Sequence, residues 1–251
     1  QSIYWSLEAR VLGFVGNPRI LKLGELQARR HIRNQIPDKA LRRKVTPDFH
    51  FGCKRVLISN NYYPALAQDH VDVVTEGIRE VQGNIVIDGQ GNERQVDCII
   101  YGTGFRAQDP IPAGMIFGRS GQDLLDAWAE GAEAYKGTTV SGFPNLFILM
   151  GPNTGLGHNS MVYMIESQIR YVMGALEVMK QNNWQALDVR TSEQQAYNQD
   201  LQGRLENTVS QTGCRSWYLN ENGRNTTLWP GYTWRFRQRT RQFDPSAYNV
   251  E

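Results

Sequence analysis

The sequence holds 251 residues, with 27 Lys plus Arg against 25 Asp plus Glu, 40% hydrophobic and 21% charged residues. A chain of this length buries a sizeable core without a disulfide or metal staple, and a net charge of +2 argues against a nucleic-acid or membrane partner recruited by bulk electrostatics. No apolar run nears the ~20 residues that cross a bilayer. The opening Gln1-Ser2-Ile3-Tyr4-Trp5 lacks the basic-then-apolar pattern of a secretory signal, so a cytoplasmic protein is expected. It also starts without Met inside an apolar stretch, which reads as a piece of something longer.

Glu25 to Ile36 combines strong helix formers with apolar residues at helical spacing, which predicts a helix. Pro37 opens a second helix, Asp38 to Val45, closed by Thr46-Pro47, and the basic residues of both read as a solvated face. From Phe51, β-branched runs predict strands at Arg55 to Ser59, Val71 to Thr75, Ile78 to Ile87 and Val96 to Tyr101. Asp88-Gly89-Gln90-Gly91-Asn92 is the expected turn between the last two, because Gly and Asn tolerate positive φ. The three cysteines, Cys53, Cys98 and Cys214, stand isolated with no C-x-x-C pair, which points to a reducing compartment.

Asn145 to Met150 has the length and composition of a buried strand. It stops at Gly151-Pro152-Asn153-Thr154-Gly155-Leu156-Gly157. From His158 to Lys180, Met161, Val162, Ile165, Ile169, Val172, Met173 and Leu176 then recur at helical spacing. A polar helix is expected from about Glu193 to Val209, and Asn222-Gly223 signals a hairpin. In the tail, Arg235, Arg237, Arg239 and Arg241 alternate with Trp234 and Phe236, the pattern of a strand with a solvated basic edge rather than a nucleic-acid surface.

Four constellations carry chemistry. A strand that stops at a glycine-rich loop and restarts as a helix, as at 151 to 157, aims backbone N–H groups and a helix dipole at one point, which suits an anion or an electron-rich ring edge. The loop spells neither G-x-G-x-x-G nor a P-loop, and a tight turn accounts for it equally well. Gly102-Thr103-Gly104 at the end of an apolar run lets backbone approach a ligand closely, or simply ends a strand. Lys54-Arg55 offers a point charge beside a planar fork, suited to a phosphate and a delocalised anion, or is an exposed basic pair. Trp217, in Cys214-Arg215-Ser216-Trp217-Tyr218, stacks on a flat cofactor or caps a small core.

Taken in order, Cys53-Lys54-Arg55, Asn61-Tyr62-Tyr63-Pro64, Tyr101-Gly102-Thr103-Gly104-Phe105, Gly151-Pro152-Asn153-Thr154, Ser216-Trp217-Tyr218 and Gly223-Arg224-Asn225-Thr226-Thr227-Leu228-Trp229-Pro230-Gly231 resemble the C-terminal half of class B flavoprotein monooxygenases. Within that class the resemblance is strongest to Baeyer-Villiger monooxygenases. The resemblance implies an α/β fold: the C-terminal portion of a two-dinucleotide-binding-domain (FAD/NAD(P) Rossmann-like) flavoprotein with a helical N-terminal segment. It divides the chain into a helical insert (1–50), a returning part of the NADP-binding domain (51–104) and a returning part of the FAD-binding domain with the tail (105–251). It implies FAD and NADPH as cofactors, and a small-molecule ketone or soft heteroatom with O2 as substrates. Both G-x-G-x-x-G loops and the F-x-G-x-x-x-H signature are absent, so the N-terminal half of a parent chain is expected to be required.

By the same resemblance, Lys54 holds the 2′-phosphate of NADPH and Arg55 lies over the flavin, where a fixed guanidinium stabilises the anionic C4a-peroxide and its ketone adduct. Trp217 contacts the nicotinamide nucleotide. Gly102, Thr103 and Gly104 form the interdomain link, and Gly151, Pro152, Asn153 and Thr154 close over the flavin ring. The sequence departs from the family with Tyr101 in place of Ala and Arg106 in place of an acidic residue. Two alternatives stand beside this reading: an N- or S-oxygenating flavin monooxygenase, and a non-catalytic nucleotide-binding remnant. A disulfide reductase lacks its paired cysteines, a zinc site lacks ligand spacing among His31, His50, His70 and His158, and no G-x-S-x-G elbow is present.

Overall fold

The computed structural model describes residues 2–104, 111–206, 208–211, 214 and 216–251. Phe105, Arg106 and Arg215 of the motifs above lie outside them. The chain forms two compact units, one taking the described residues of Gln1–Leu23, Phe49–Val56 and Arg106–Glu251, the other Gly24–Asp48 and Leu57–Phe105.

The smaller unit carries most of α2 (Leu21–Gln35), then α3 (Lys39–Val45), α4 (Tyr62–Leu66) and an antiparallel sheet in the order β1-β2-β3 (Ile78–Gln82, Ile85–Asp88, Glu93–Gln95). Asp38 caps α3 by accepting a 2.6 Å hydrogen bond from the Leu41 amide, which satisfies a first-turn donor and leaves Pro37 outside the helix. The run Ile78 to Ile87 is a hairpin and not one strand. Gly83, at φ 62, turns the chain so that Val81 faces Val86. The Asp88 turn closes as expected: its carboxylate accepts from the Gln90 and Asn92 amides and from Arg94 at 2.8 Å. The Arg94 guanidinium, with Asn92 and the turn amides, holds that carboxyl well below the usual range.

Three expected strands, 55–59, 71–75 and 96–101, are irregular chain outside any strand. Such runs become strands only when neighbours satisfy their ladder donors and acceptors, and here Leu57, Ile58 and Ile100 stand exposed. The run 145–150 is not a strand either, because Asn145 and Met150 take φ of 60 and 56, which a pleated strand excludes.

The larger unit is organised on α6 (Met161–Asn182), with α1 (Ser2–Ala9), α5 (Leu124–Ala127), α7 (Thr191–Leu205), α8 (Thr233–Arg239) and a two-stranded sheet of β4 (Leu187–Val189) and β5 (Tyr248–Val250). The helix expected from the apolar spacing is present, but only part of that stripe turns inward, with Met161, Ile165 and Val172 half-buried. Met164, Ser167, Gln168, Tyr171 and Ala175 are buried, whereas Val162, Ile169, Met173 and Leu176 are exposed. Tyr171 and Ala175 join Leu187, Val189 and Tyr248 in one core; Met164 joins Leu156, Leu201, Leu205, Trp229 and Phe236 in another.

The arginine-rich tail is a helix and not an edge strand. Thr233 and Phe236 are its buried positions one turn apart, and Thr240 bonds back to the Phe236 carbonyl at 2.9 Å. Its arginines are partly engaged: Arg237 lies 3.5 Å from the Tyr163 ring centre and pairs with Glu166 at 2.9 Å, and Arg239 lies 3.5 Å from Asp200. Asn222-Gly223 does turn the chain, with Gly223 at φ 75 and the Asn220 amide donating to Arg224. Cys53 and Cys214 form a disulfide, correcting the expectation of isolated thiols, because the fold brings their Cα atoms to 6.3 Å. Cys98 is free. Among the described residues no helix is long and apolar enough to cross a membrane.

Candidate functional site

The glycine-rich loop is held from three sides. Along its length it runs beside the segment 225–229: the Asn153 amide donates to Thr226 at 2.9 Å, the Gly155 amide to Thr227 at 2.8 Å, and the Trp229 amide to Gly155 at 2.8 Å. The Asn153 side chain, at φ 56, donates from Nδ2 to the Asn225 and Leu228 carbonyls. From below, Gln168 of α6 donates to the Gly137 carbonyl at 2.7 Å and accepts from the Met150 amide at 2.9 Å. One buried amide thus fixes the two backbone turns that flank the loop.

The third side is glycine against glycine. A Cβ on Gly151 would lie 2.4 Å from the Gly137 oxygen, one on Gly137 2.2 Å from Thr154 Cγ2, and one on Gly155 2.7 Å from the Thr227 oxygen. The backbones approach more closely than side chains permit. Within this cradle Asn153 Oδ1 is buried and accepts no hydrogen bond among the described residues.

Arg55 reaches the far end of the loop, where Nη1 donates to the Leu156 carbonyl at 3.3 Å. Its guanidinium also lies near the buried Tyr218. Burial raises that phenol above its ordinary value, and Arg55 opposes the shift. Tyr218 packs on Trp217 with ring centres 4.5 Å apart, and Trp217 keeps 47% of its surface open. Lys54 is exposed, its Nζ 4.6 Å above the Phe49 ring. Of the expected residues, Lys54, Arg55, Gly151 to Thr154 and Trp217 therefore belong to one unit. Gly102, Thr103 and Gly104 belong to the other, as exposed chain with Gly104 at φ 86.

Beside the loop, buried His158 has its ring centre 6.4 Å from that of Phe14 and lies 3.9 Å from buried Glu8. Burial pushes its imidazole down to about 4, with Glu8 opposing, so it is neutral at pH 7. Glu8 accepts from the Thr233 amide and hydroxyl and from Asn159, tying α1 and α8 to the start of α6. Gln168, Glu8 and His158 were given no site role from sequence, and Asn225 stood only within the 223–231 motif. Gln168 gives one local signal, an uncharged polar residue set beside Ile169 within an apolar helix, and the others give none.

No family model matches the chain. A Baeyer-Villiger monooxygenase of Pseudomonas aeruginosa is 61% identical over 250 residues, 99% of this chain and 47% of the relative. A second, from Streptomyces coelicolor, is 43% identical over 253 residues, 100% of this chain and 49% of the relative. Among solved structures, OTEMO in complex with FAD and NADP superposes with a TM-score of 0.84 at 26% identity, covering 96% of this chain and 46% of that one. The chain thus spans about half the length of the curated relatives it matches. Its fold class is the C-terminal portion of a two-dinucleotide-binding-domain flavoprotein. Within that class it is related to the Baeyer-Villiger monooxygenases and corresponds to their C-terminal half.

Proposed function

We propose that this chain supplies the C-terminal share of the active site of an FAD- and NADPH-dependent monooxygenase that converts a ketone to an ester, with ketone, O2, NADPH and a proton giving ester, NADP+ and water. The observation that carries the reading is the Arg55 guanidinium, bound to the carbonyl at the end of the glycine loop. The residues fit a flat, anionic dinucleotide: a backbone cradle that a Cβ would fill, a buried Asn153 oxygen with no donor among the described residues, an exposed indole and an adjacent Lys-Arg pair. Bound FAD, reduced by NADPH, supplies the electrons that activate O2.

Arg55 keeps a delocalised positive charge where the carbonyl oxygen of the ketone gains negative charge; lysine there is a poorer fork. Lys54 binds the 2′-phosphate of NADPH and Trp217 lies against its nicotinamide part. Gly151, Pro152, Asn153 and Thr154, with the first turn of α6, close over the flavin, and Gly102, Thr103 and Gly104 link the two dinucleotide domains. In this reading 1–50 is the helical insert, 51–104 the returning NADP part and 105–251 the returning FAD part. The pyrophosphate cradles belong to the portion of the relatives that this chain does not span. Exposed Val162, Ile169, Met173 and Leu176 suit burial against that portion. The cytoplasm is the proposed compartment.

The test is an Arg55→Ala variant of the full-length enzyme carrying this half, assayed with a ketone and a thioether side by side. Wild type is expected to form chiefly ester, and the variant to keep its flavin absorbance while losing ester formation. Undiminished ester formation in the variant overturns the reading, and a wild type that oxygenates only the thioether favours the heteroatom alternative.

A further inference from the structure

Cys53 stands two residues before Arg55, and Cys214 three before Trp217; their disulfide spans 161 positions of sequence. The two ends differ. Cys53 is fully buried, its amide donating to the His50 carbonyl at 3.0 Å, and the preceding Gly52 packs so closely that a Cβ would lie 2.7 Å from the Phe14 ring. Cys214 is half-buried, on the segment that leads from α7 to Trp217. The bond therefore anchors the Trp217 segment to the fixed Arg55 segment.

We propose that Cys53–Cys214 is a redox-responsive positioning disulfide: oxidised, it holds Trp217 beside Arg55; reduced, it releases the Trp217 segment and weakens nicotinamide-nucleotide binding. The last consequence deepens, and rests on, the function proposed above; the release of Trp217 does not. Formation breaks two S–H bonds and makes one S–S bond. Two electrons pass to hydrogen peroxide, which with the two protons leaves as two waters. Reduction begins with thiolate attack by a dithiol on the more open Cys214 sulfur, giving a mixed disulfide and freeing Cys53. The dithiol then closes on itself, leaving two protein thiols. In a reducing compartment such a bond responds to the redox state rather than serving as a permanent staple.

The first measurement is sequential alkylation of the protein purified without reductant, before and after dithiol treatment, mapped by peptide mass. Cys98 is expected to take the first label, and Cys53 and Cys214 only the second. The second is acrylamide quenching of tryptophan fluorescence, with Trp217→Phe used to isolate the Trp217 signal. Reduction is expected to raise quenching of Trp217 about twofold, as a locally released segment gains solvent contact. A Cys53→Ala/Cys214→Ala variant is expected to behave as reduced protein with or without dithiol; if it fails to fold, the wild-type reduction series decides alone.

In the full-length enzyme carrying this half, reduction is expected to weaken NADP+ binding about tenfold with FAD content unchanged. Cys53 and Cys214 alkylated without reduction, Trp217 quenching unmoved by dithiol, or NADP+ affinity unmoved in a flavin-loaded enzyme each overturn the proposal. Release of Trp217 in a full-length enzyme that binds no FAD overturns the monooxygenase reading and the nucleotide consequence while upholding the tether.

Discussion

Arg55 Nη1 donates to the carbonyl oxygen of Leu156, a residue 101 positions further along the chain, at 3.3 Å. Leu156 is buried, and its loop is bonded to 225–229 on one side and steadied by Gln168 on the other. An otherwise exposed guanidinium is thereby referenced to backbone that is itself held from two sides. Arg55→Lys in the full-length enzyme keeps the charge and loses the fork. The expected outcome is a kcat lower by about 10²-fold with KM little changed, as for the loss of one preorganised donor. Steady-state kinetics on a ketone check it, and a kcat equal to wild type removes Arg55 from the chemistry.

Gln168→Leu removes the donor to Gly137 and the acceptor for Met150 while adding no polar group. A buried carbonyl and a partly buried amide lose their partner, which is expected to cost about 2–4 kcal/mol. Denaturant unfolding measures it, and a loss under 1 kcal/mol by that measurement means water or relaxation replaces the clamp.

Glycine substitutions separate strain from simple flexibility. Gly137→Ala places a Cβ against Thr154 at φ 62, and Gly151→Ala places one against the Gly137 oxygen, so each is expected to destabilise by ~2 kcal/mol or more. Gly203, in the last turn of α7 with open space around it, is the control: Gly203→Ala is expected to stabilise by up to about 0.5–1 kcal/mol. Thermal melts of the three variants decide, and equal shifts in all of them refute the close-packed cradle.

His158 gives a pH signature. Its folded value of about 4 lies below the ordinary imidazole value of 6.5, so between them the unfolded chain binds more protons than the folded one. Its stabilising contribution is full above pH 6.5, is lost as pH falls towards 4, and is level below that. The total is on the order of 3 kcal/mol, at 1.36 kcal/mol per pKa unit. Relative to wild type, His158→Gln is expected to lose less stability over that window. Parallel stability-against-pH curves would show that the buried imidazole is not the titrating group.

Local signals were legible where one segment decides its own conformation. The Asp38 cap, the Asp88 turn, the Gly223 turn and the glycine loop opening into α6 all follow from backbone preference and short-range hydrogen bonding. Periodicity failed where neighbours decide. The α6 stripe of Val162, Ile169 and Met173 is apolar yet exposed, while Gln168 is buried because it meets backbone groups from two distant turns. The alternation of arginines read as a strand, but burial of Phe236 against Trp229 makes that segment a helix.

The sequence by itself determined the family resemblance, the positions of the loop, the Lys54-Arg55 pair and Trp217, and the helices α2, α3, α6 and α7, since each is written in residues close together. Only tertiary structure decided that Arg55 meets Leu156, that Cys53 bonds Cys214, and that Glu8 joins Thr233 and Asn159. Those pairings join residues more than 100 positions apart, and their geometry comes from burial and hydrogen-bond satisfaction across the whole unit, which no short spacing encodes.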